Sequence, residues 1–196
     1  MSDTEQLTWN GDSALAKIQD SGNVEYYTPE KYIRVVRKVL GTIKLDPASC
    51  ELANLIVQAE RIYTGQQDGL AHSWQAETLF CNPPYGRAGH RSNQEIWSCK
   101  LIAEYEAGNV GEAILLVNAN TETEWYQRLC SYPLCLVKGR INFRSPQSKT
   151  SGATHGSAFI YFGSHVARFN EVFKPFGRVY PALATVSSSS LWKVAS

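Results

Sequence analysis

Two hydrophobic rhythms alternate along this chain. Tyr32, Val35, Val36, Val39 and Leu40 recur at helical spacing, the mark of an amphipathic helix. Thr28-Pro29-Glu30 predicts how that helix starts, with a threonine cap, proline at the first helical position and an acid at the positive end. Gly41 predicts its stop. Ile43–Asp46 then reads as a short strand ending in an acid, Pro47-Ala48-Ser49 as a turn, and Leu52, Leu55 and Ile56 as a helix reaching about Ala59. Arg61–Thr64 is a further short strand, Gly65–Leu70 a turn, and Thr78–Cys81 an apolar strand. Beyond a glycine-rich loop at Gly86–Arg91, Ser92 and Glu95 have the spacing of a capping box. They open a helix through Ile96, Trp97, Leu101, Ile102 and Tyr105 that ends at Gly108.

Ala113–Val117 is continuously apolar, as a buried strand should be. Thr121 and Glu124 form a second capping box before a helix carrying Trp125 and Leu129. Leu134–Val137 and Ser157–Phe162 are strands, separated by a Ser/Thr/Gly/Lys-rich stretch, Arg144–Gly156, expected to be a mobile loop. Residues 1–25 lack periodicity, apart from one helical turn around Ala14–Ile18, and read as an N-terminal arm. Residues 26–180 form the folded domain, and 181–196, with its run of serines, a tail on which Leu191-Trp192 can dock. Strands alternating with helices predict an α/β fold with a mostly parallel sheet, helices on both faces and an antiparallel strand near the C-terminal end. Ligands of such sheets sit at the carboxyl ends of strands. Asp46, Asp68 and Asn82 fall at or just after strand ends and are expected to line one site.

The most specific chemistry follows the strand at 78–81. In Asn82-Pro83-Pro84-Tyr85 a polar amide precedes two residues with fixed φ and no N–H, then an aromatic ring. The segment reads as a stiff turn presenting an amide oxygen and a backbone carbonyl side by side, with an exposed tyrosine. Two adjacent acceptors suit the two hydrogens of an exocyclic –NH₂ group. A flat ring suits a planar base, a stacking contact worth ~1–3 kcal/mol.

Composition narrows the picture. Hydrophobic residues make up 43% of the 196 residues and charged residues 19%, the profile of one ordered globular domain. No apolar stretch is long enough to span a bilayer, and the polar, acidic start does not resemble a signal peptide. The cysteines at 50, 81, 99, 130 and 135 include no Cys-x-x-Cys pair. They read as reduced cytosolic thiols rather than a zinc site or a disulfide framework. The net charge of +1 hides an asymmetry, since only one of the acids, Glu171, follows Glu124. A stretch so poor in carboxylates suits a polyanion.

Tyr27-Thr28-Pro29, Leu45-Asp46-Pro47-Ala48-Ser49, Tyr63-Thr64 with Asp68-Gly69-Leu70, Trp74, Cys81-Asn82-Pro83-Pro84-Tyr85, Trp97 with Lys100, and Gly139-Arg140-Ile141 with Phe143 stand in that order. Over about residues 26–163 this set resembles the phage-type DNA N6-adenine methyltransferases. The resemblance implies a Rossmann-like fold, S-adenosylmethionine as cofactor, no metal, double-stranded DNA as partner and a phage or prophage protein acting in a bacterial cytoplasm, as in restriction-modification. It implies that Asn82 and the Pro83 carbonyl hold the amino group of a flipped adenine, with Pro84 stiffening the turn and Tyr85 stacking on the base. Tyr27, Thr28 and Pro29 would border the methionine end of the cofactor, and Asp68 its adenine. The family's usual glycine-rich turn after the first strand is missing. Asp46-Pro47-Ala48 either replaces it, with Asp46 near the cofactor amino group, or Asp46 ends the second strand and binds the ribose. Arg87, Arg91, Arg140, Arg144 and Lys149 are the expected DNA contacts. The same local chemistry also fits cytosine N4, RNA adenine or a protein glutamine as acceptor, or a non-catalytic DNA-binding module on the same fold.

Overall fold

The computed structural model describes residues 26–143 and 155–182. The proposed arm and its helical turn, Arg144 and Lys149 with most of the expected mobile loop, and nearly all of the tail with Leu191-Trp192 lie outside the described residues.

A seven-stranded sheet carries the fold, in the order β2-β1-β3-β6-β8-β7-β9. The strands are β1 (Leu45–Asp46), β2 (Arg61–Ile62), β3 (Ala76–Cys81), β6 (Val110–Asn118), β7 (Leu134–Val137), β8 (Ser157–Phe162) and β9 (Gly177–Tyr180). The strands β2, β1, β3 and β6 are mutually parallel. Antiparallel β8 follows β6, so β7 runs with the parallel set and β9 against it. Five of seven strands thus share one direction. The expected antiparallel strand is β8.

Helices α1 (Glu30–Leu40), α2 (Glu51–Val57) and α5 (Val166–Phe173) cover one face, and α3 (Asn93–Glu106) and α4 (Glu124–Leu129) the other. Strand alternation splits the core between them. Phe80, Ile114, Leu116 and Phe159 pack with Val36, Val39, Phe169 and Phe173 on the first face. Leu79, Cys81, Ala113, Leu115 and Ile160 pack with Trp97, Leu101 and Leu129 on the second. This is the Rossmann-like α/β arrangement expected of a methyltransferase.

Local details depart from the sequence reading. Pro29, not Thr28, occupies the cap position of α1, and no side chain caps that helix. Its carbonyl accepts from the Tyr32 amide at 2.9 Å. The Thr28 hydroxyl turns into the protein, buried and without a partner. Ser92 stands at the N-cap of α3 but makes no side-chain cap bond, and Glu95, which would complete a capping box, accepts from Arg91 at 2.9 Å instead. Thr123, not Thr121, precedes α4, and its hydroxyl donates to the Asn120 carbonyl at 2.8 Å. The glycine-rich loop is a small hairpin of β4 (Arg87–Ala88) and β5 (Arg91–Ser92), turned by Gly89 at φ +59°.

Candidate active site

Sheet order decides which polar residues meet. β1 lies between β2 and β3, with Leu45 in register with Leu79. Asp46 and Asn82 therefore leave neighbouring parallel strands at the same end of the sheet. The turn after β1 is tied to the exit of β2. The Tyr63 amide donates to the Asp46 carbonyl at 3.2 Å, and the Ser49 amide to the Tyr63 carbonyl at 3.0 Å. The Asp46 carboxylate accepts from the Ala48 amide at 3.2 Å.

The 65–71 segment closes against that turn. Asp68 takes a left-handed backbone at φ 50°, and its carboxylate accepts from the Leu70 amide at 3.1 Å. Gly69 is buried, and a Cβ there would lie 2.0 Å from the Pro47 carbonyl oxygen. Its own carbonyl accepts from the Trp74 indole at 2.7 Å. Only glycine lets the Asp68 loop approach the Asp46-Pro47 turn this closely.

Asn82 leaves β3 with its amide held from one side: Nδ2 donates to the Tyr26 carbonyl at 3.0 Å. A main-chain carbonyl can only accept, so the other end of the amide, Oδ1, points the opposite way. That oxygen is buried and has no hydrogen-bond partner. Beyond it, Pro83 is buried and Pro84 exposed. Tyr85 corrects the expectation of an exposed ring. It is half-buried, edge-on to Tyr26 at 5.0 Å and to Phe143 at 5.9 Å between centroids. Burial, then the neighbouring Tyr26, push its phenol well above the ordinary tyrosine range. The turn is stiff, but its ring finds two aromatic neighbours, which favour edge-to-face contact over exposure.

These parts surround a single cavity of about 780 Å³. Asn82, Pro83, Pro84 and Tyr85 line it, as do Tyr27, Thr28, Asp46, Pro47, Ala48 and Asp68. Pro29, at the cap position of α1, does not. Of the six buried polar side-chain atoms without a partner among the described residues, Thr28 Oγ1, Ser49 Oγ and Asn82 Oδ1 belong to residues that line this cavity, while Gln94 Nε2, Ser98 Oγ and the Tyr126 hydroxyl lie elsewhere. A buried polar group without a partner costs ~1–3 kcal/mol, so several of them around one hollow point to a polar ligand. Asp46 agrees. It is 3% exposed, and desolvation pushes its carboxyl up to about 7, against the opposing pull of the Ala48 amide and the nearby Ser49 hydroxyl. Ser49 lies close enough to favour the carboxylate but completes no hydrogen bond to it.

A family model described as DNA N-6-adenine-methyltransferase (Dam) matches residues 16–188. The chain belongs to this family. Comparison with curated proteins and with solved structures finds no match. A methyltransferase of this family acts on DNA, and among the described residues no group of three or more His, Cys, Asp or Glu side chains is placed to hold a metal. Nor is any described helix long and apolar enough to cross a membrane.

The expected DNA contacts fall into two groups. Arg87 and Arg91 stand on the exposed β4–β5 hairpin beside the Asn82–Tyr85 turn. Arg87 donates to the His90 carbonyl and Arg91 pairs with Glu95, so both brace the hairpin. Arg140 is exposed in the turn after β7. Sequence reasoning missed Tyr26, Ser49, Cys50, Tyr63 and Trp97 as lining residues. Adjacency was the available signal for Tyr26 and Ser49, which flank Tyr27 and Ala48. Nothing in the pattern marked Cys50, whose thiol lies 3.5 Å from the Tyr27 hydroxyl.

Proposed function

We propose that this protein transfers a methyl group from S-adenosylmethionine to the N6 amine of an adenine turned out of double-stranded DNA. The observation that carries the reading is the buried, unpartnered Asn82 Oδ1, turned away from the Tyr26 carbonyl on a residue that lines the same cavity as Asp46. The volume of that cavity, about 780 Å³, falls in the range of small-molecule sites. Thr28, Asp46, Ser49 and Asp68 would hold the polar ends of the methyl donor. Bound there, the donor supplies an electrophilic methyl group on a sulfonium centre.

The residues of the chain do the rest. The lone pair of adenine N6 is delocalised into its ring, which makes the amine a weak nucleophile. Asn82 Oδ1 and the Pro83 carbonyl, accepting its two hydrogens, draw the nitrogen toward a tetrahedral shape and localise that pair. The interaction accelerates the reaction because it strengthens as the nitrogen becomes positive. Tyr85 and its edge-on neighbours present apolar surface to the flat base. Holding N6 in one orientation supplies a further share through proximity. Extruding the base costs a few kcal/mol, which contacts from Arg87 and Arg140 to phosphate would offset.

The test is transfer of labelled methyl to duplex DNA, followed by digestion to nucleosides. The label should appear in N6-methyladenine. Label in N4-methylcytosine, or transfer to RNA or to protein glutamine in preference to DNA, would reassign the acceptor. Tight DNA binding with no affinity for the donor would make the chain a binding module.

A further inference from the structure

Asn82 can present its oxygen to a substrate only if its amide cannot turn over. In the free protein Oδ1 has no hydrogen-bond partner, so nothing on its side of the amide selects oxygen over –NH₂. One contact breaks that symmetry: the Tyr26 main-chain carbonyl, 3.0 Å from Nδ2. With –NH₂ facing the carbonyl the contact is a hydrogen bond. With oxygen facing it, two acceptors collide in a partly buried place, at a cost of ~1–3 kcal/mol.

The carbonyl must itself stay in position. Tyr26 lies 56 residues from Asn82 in sequence and outside any helix, so its backbone is fixed from elsewhere. Its ring makes a triangle of edge-to-face contacts with Tyr85, at 5.0 Å and 73°, and with Phe143, at 6.3 Å and 71°. Tyr85 and Phe143 close the triangle at 5.9 Å. One corner thus belongs to the same four-residue turn as Asn82. Such pairs contribute ~0.5–1.5 kcal/mol each beyond burial.

We infer that Tyr26 is a positioning residue for methyl transfer, its ring clamped between Tyr85 and Phe143 so that its carbonyl locks the Asn82 amide with Oδ1 toward the acceptor amine. It acts through Asn82 and needs no contact with the base. The inference rests on the acceptor role proposed for Asn82.

The experiment is a double-mutant cycle on single-turnover methyl transfer with Tyr26→Ala, Asn82→Ala and the pair, alongside Tyr26→Phe. Exchange protection of the Asn82 side-chain amide protons is followed by NMR, and thermal unfolding is followed for each variant. Tyr26→Ala should slow transfer ~10- to 100-fold and release the protection, while Tyr26→Phe, which keeps the ring, stays near wild type. In the Asn82→Ala background, Tyr26→Ala should cost no more than about threefold, since residues acting as a unit are not additive. Full additivity, or retained protection in Tyr26→Ala, would overturn the inference. If Tyr26→Ala fails to fold, Tyr26→Leu takes its place in the cycle. Should Asn82→Ala alone leave transfer intact, the proposed acceptor role fails instead, and the amide-exchange result still decides whether Tyr26 holds the side chain.

Discussion

Two buried carboxylates at opposite ends of the same sheet show how differently one fold treats charge. Glu104, near the amino ends of the parallel strands, is saturated. It accepts from Lys100 at 2.9 Å, from the Trp74 amide at 3.2 Å and from Asn109 at 2.7 Å. Burial works to raise its pKa, but those donors outweigh it and hold the group below the ordinary glutamate range. Asp46, at the carboxyl ends, has only the Ala48 amide fully engaged, and burial drives it up to about 7. Half-buried Glu112 likewise finds partners within the protein, accepting from the Tyr161 hydroxyl and lying 3.2 Å from His165. Thr28, Ser49 and Asn82 side with Asp46. Where the protein completes its own hydrogen bonds, polar burial holds the fold. Where it leaves three of them open on residues around one hollow, the proposed reading gives them a ligand to meet.

The largest effect should come from Asp46. Its folded pKa of about 7 stands above the ordinary value of 3.8, so the folded state binds more protons than the unfolded state between those limits. Its contribution to stability is present in full below about pH 4 and lost as pH rises through about 7. At ~1.4 kcal/mol per pKa unit that amounts to up to ~4 kcal/mol. Asp46→Asn should flatten this slope and stabilise the ligand-free protein at pH 8, as denaturant unfolding across pH would show. Donor affinity in the same variant should fall, and a variant that binds the donor as wild type does would remove Asp46 from the site.

Glu104 should carry the opposite sign. A depressed carboxylate gives stability that is present above about pH 4.5 and lost on acidification. Glu104→Ala leaves Lys100 and the Trp74 amide without their shared acceptor and should cost ~3 kcal/mol, with methyl transfer per folded molecule unchanged. A specific loss of transfer would blur the division between the two ends.

Gly69→Ala sharpens the comparison from the loop side. The added methyl would meet the Pro47 oxygen at 2.0 Å, so the Asp68 loop must back away from the Asp46 turn. A loss of ~1–3 kcal/mol in thermal or denaturant unfolding is expected, with a weaker hold on the donor. The smallest effect should follow Arg87→Glu combined with Arg140→Glu. DNA affinity should drop and its salt slope flatten by ~2, with donor affinity untouched. An unchanged slope would take the hairpin and the turn after β7 off the DNA surface.

Much of this was legible in the chain. The alternation of Val35, Val36, Val39 with Ala113–Val117 gave helix and strand their places, and Asp46, Asp68 and Asn82 did fall beside one cavity. Sheet order also bears on what the sequence left open: Asp46 ends the strand next to β3. Helix α5 and strand β9 went unread, although Phe169 and Phe173 mark a buried helical face and β9 alternates in burial. The caps failed in different ways: the Thr28 hydroxyl is buried without a partner, and the helix expected after Thr121 starts after Thr123, whose hydroxyl bonds the Asn120 carbonyl instead of capping. Adjacency to Tyr27 could have placed Tyr26 at the cavity, but not the role inferred for it, which belongs to a carbonyl, a group every residue has, and depends on a contact 56 residues away.

The most direct measurement is single-turnover methyl transfer by Asn82→Ala, with donor affinity measured in parallel by calorimetry. The unpartnered Asn82 oxygen predicts a ~10²- to 10³-fold slower transfer at unchanged donor affinity. Transfer at the wild-type rate would contradict it, and the open end of the sheet would then need another reason for leaving its oxygens unpaired.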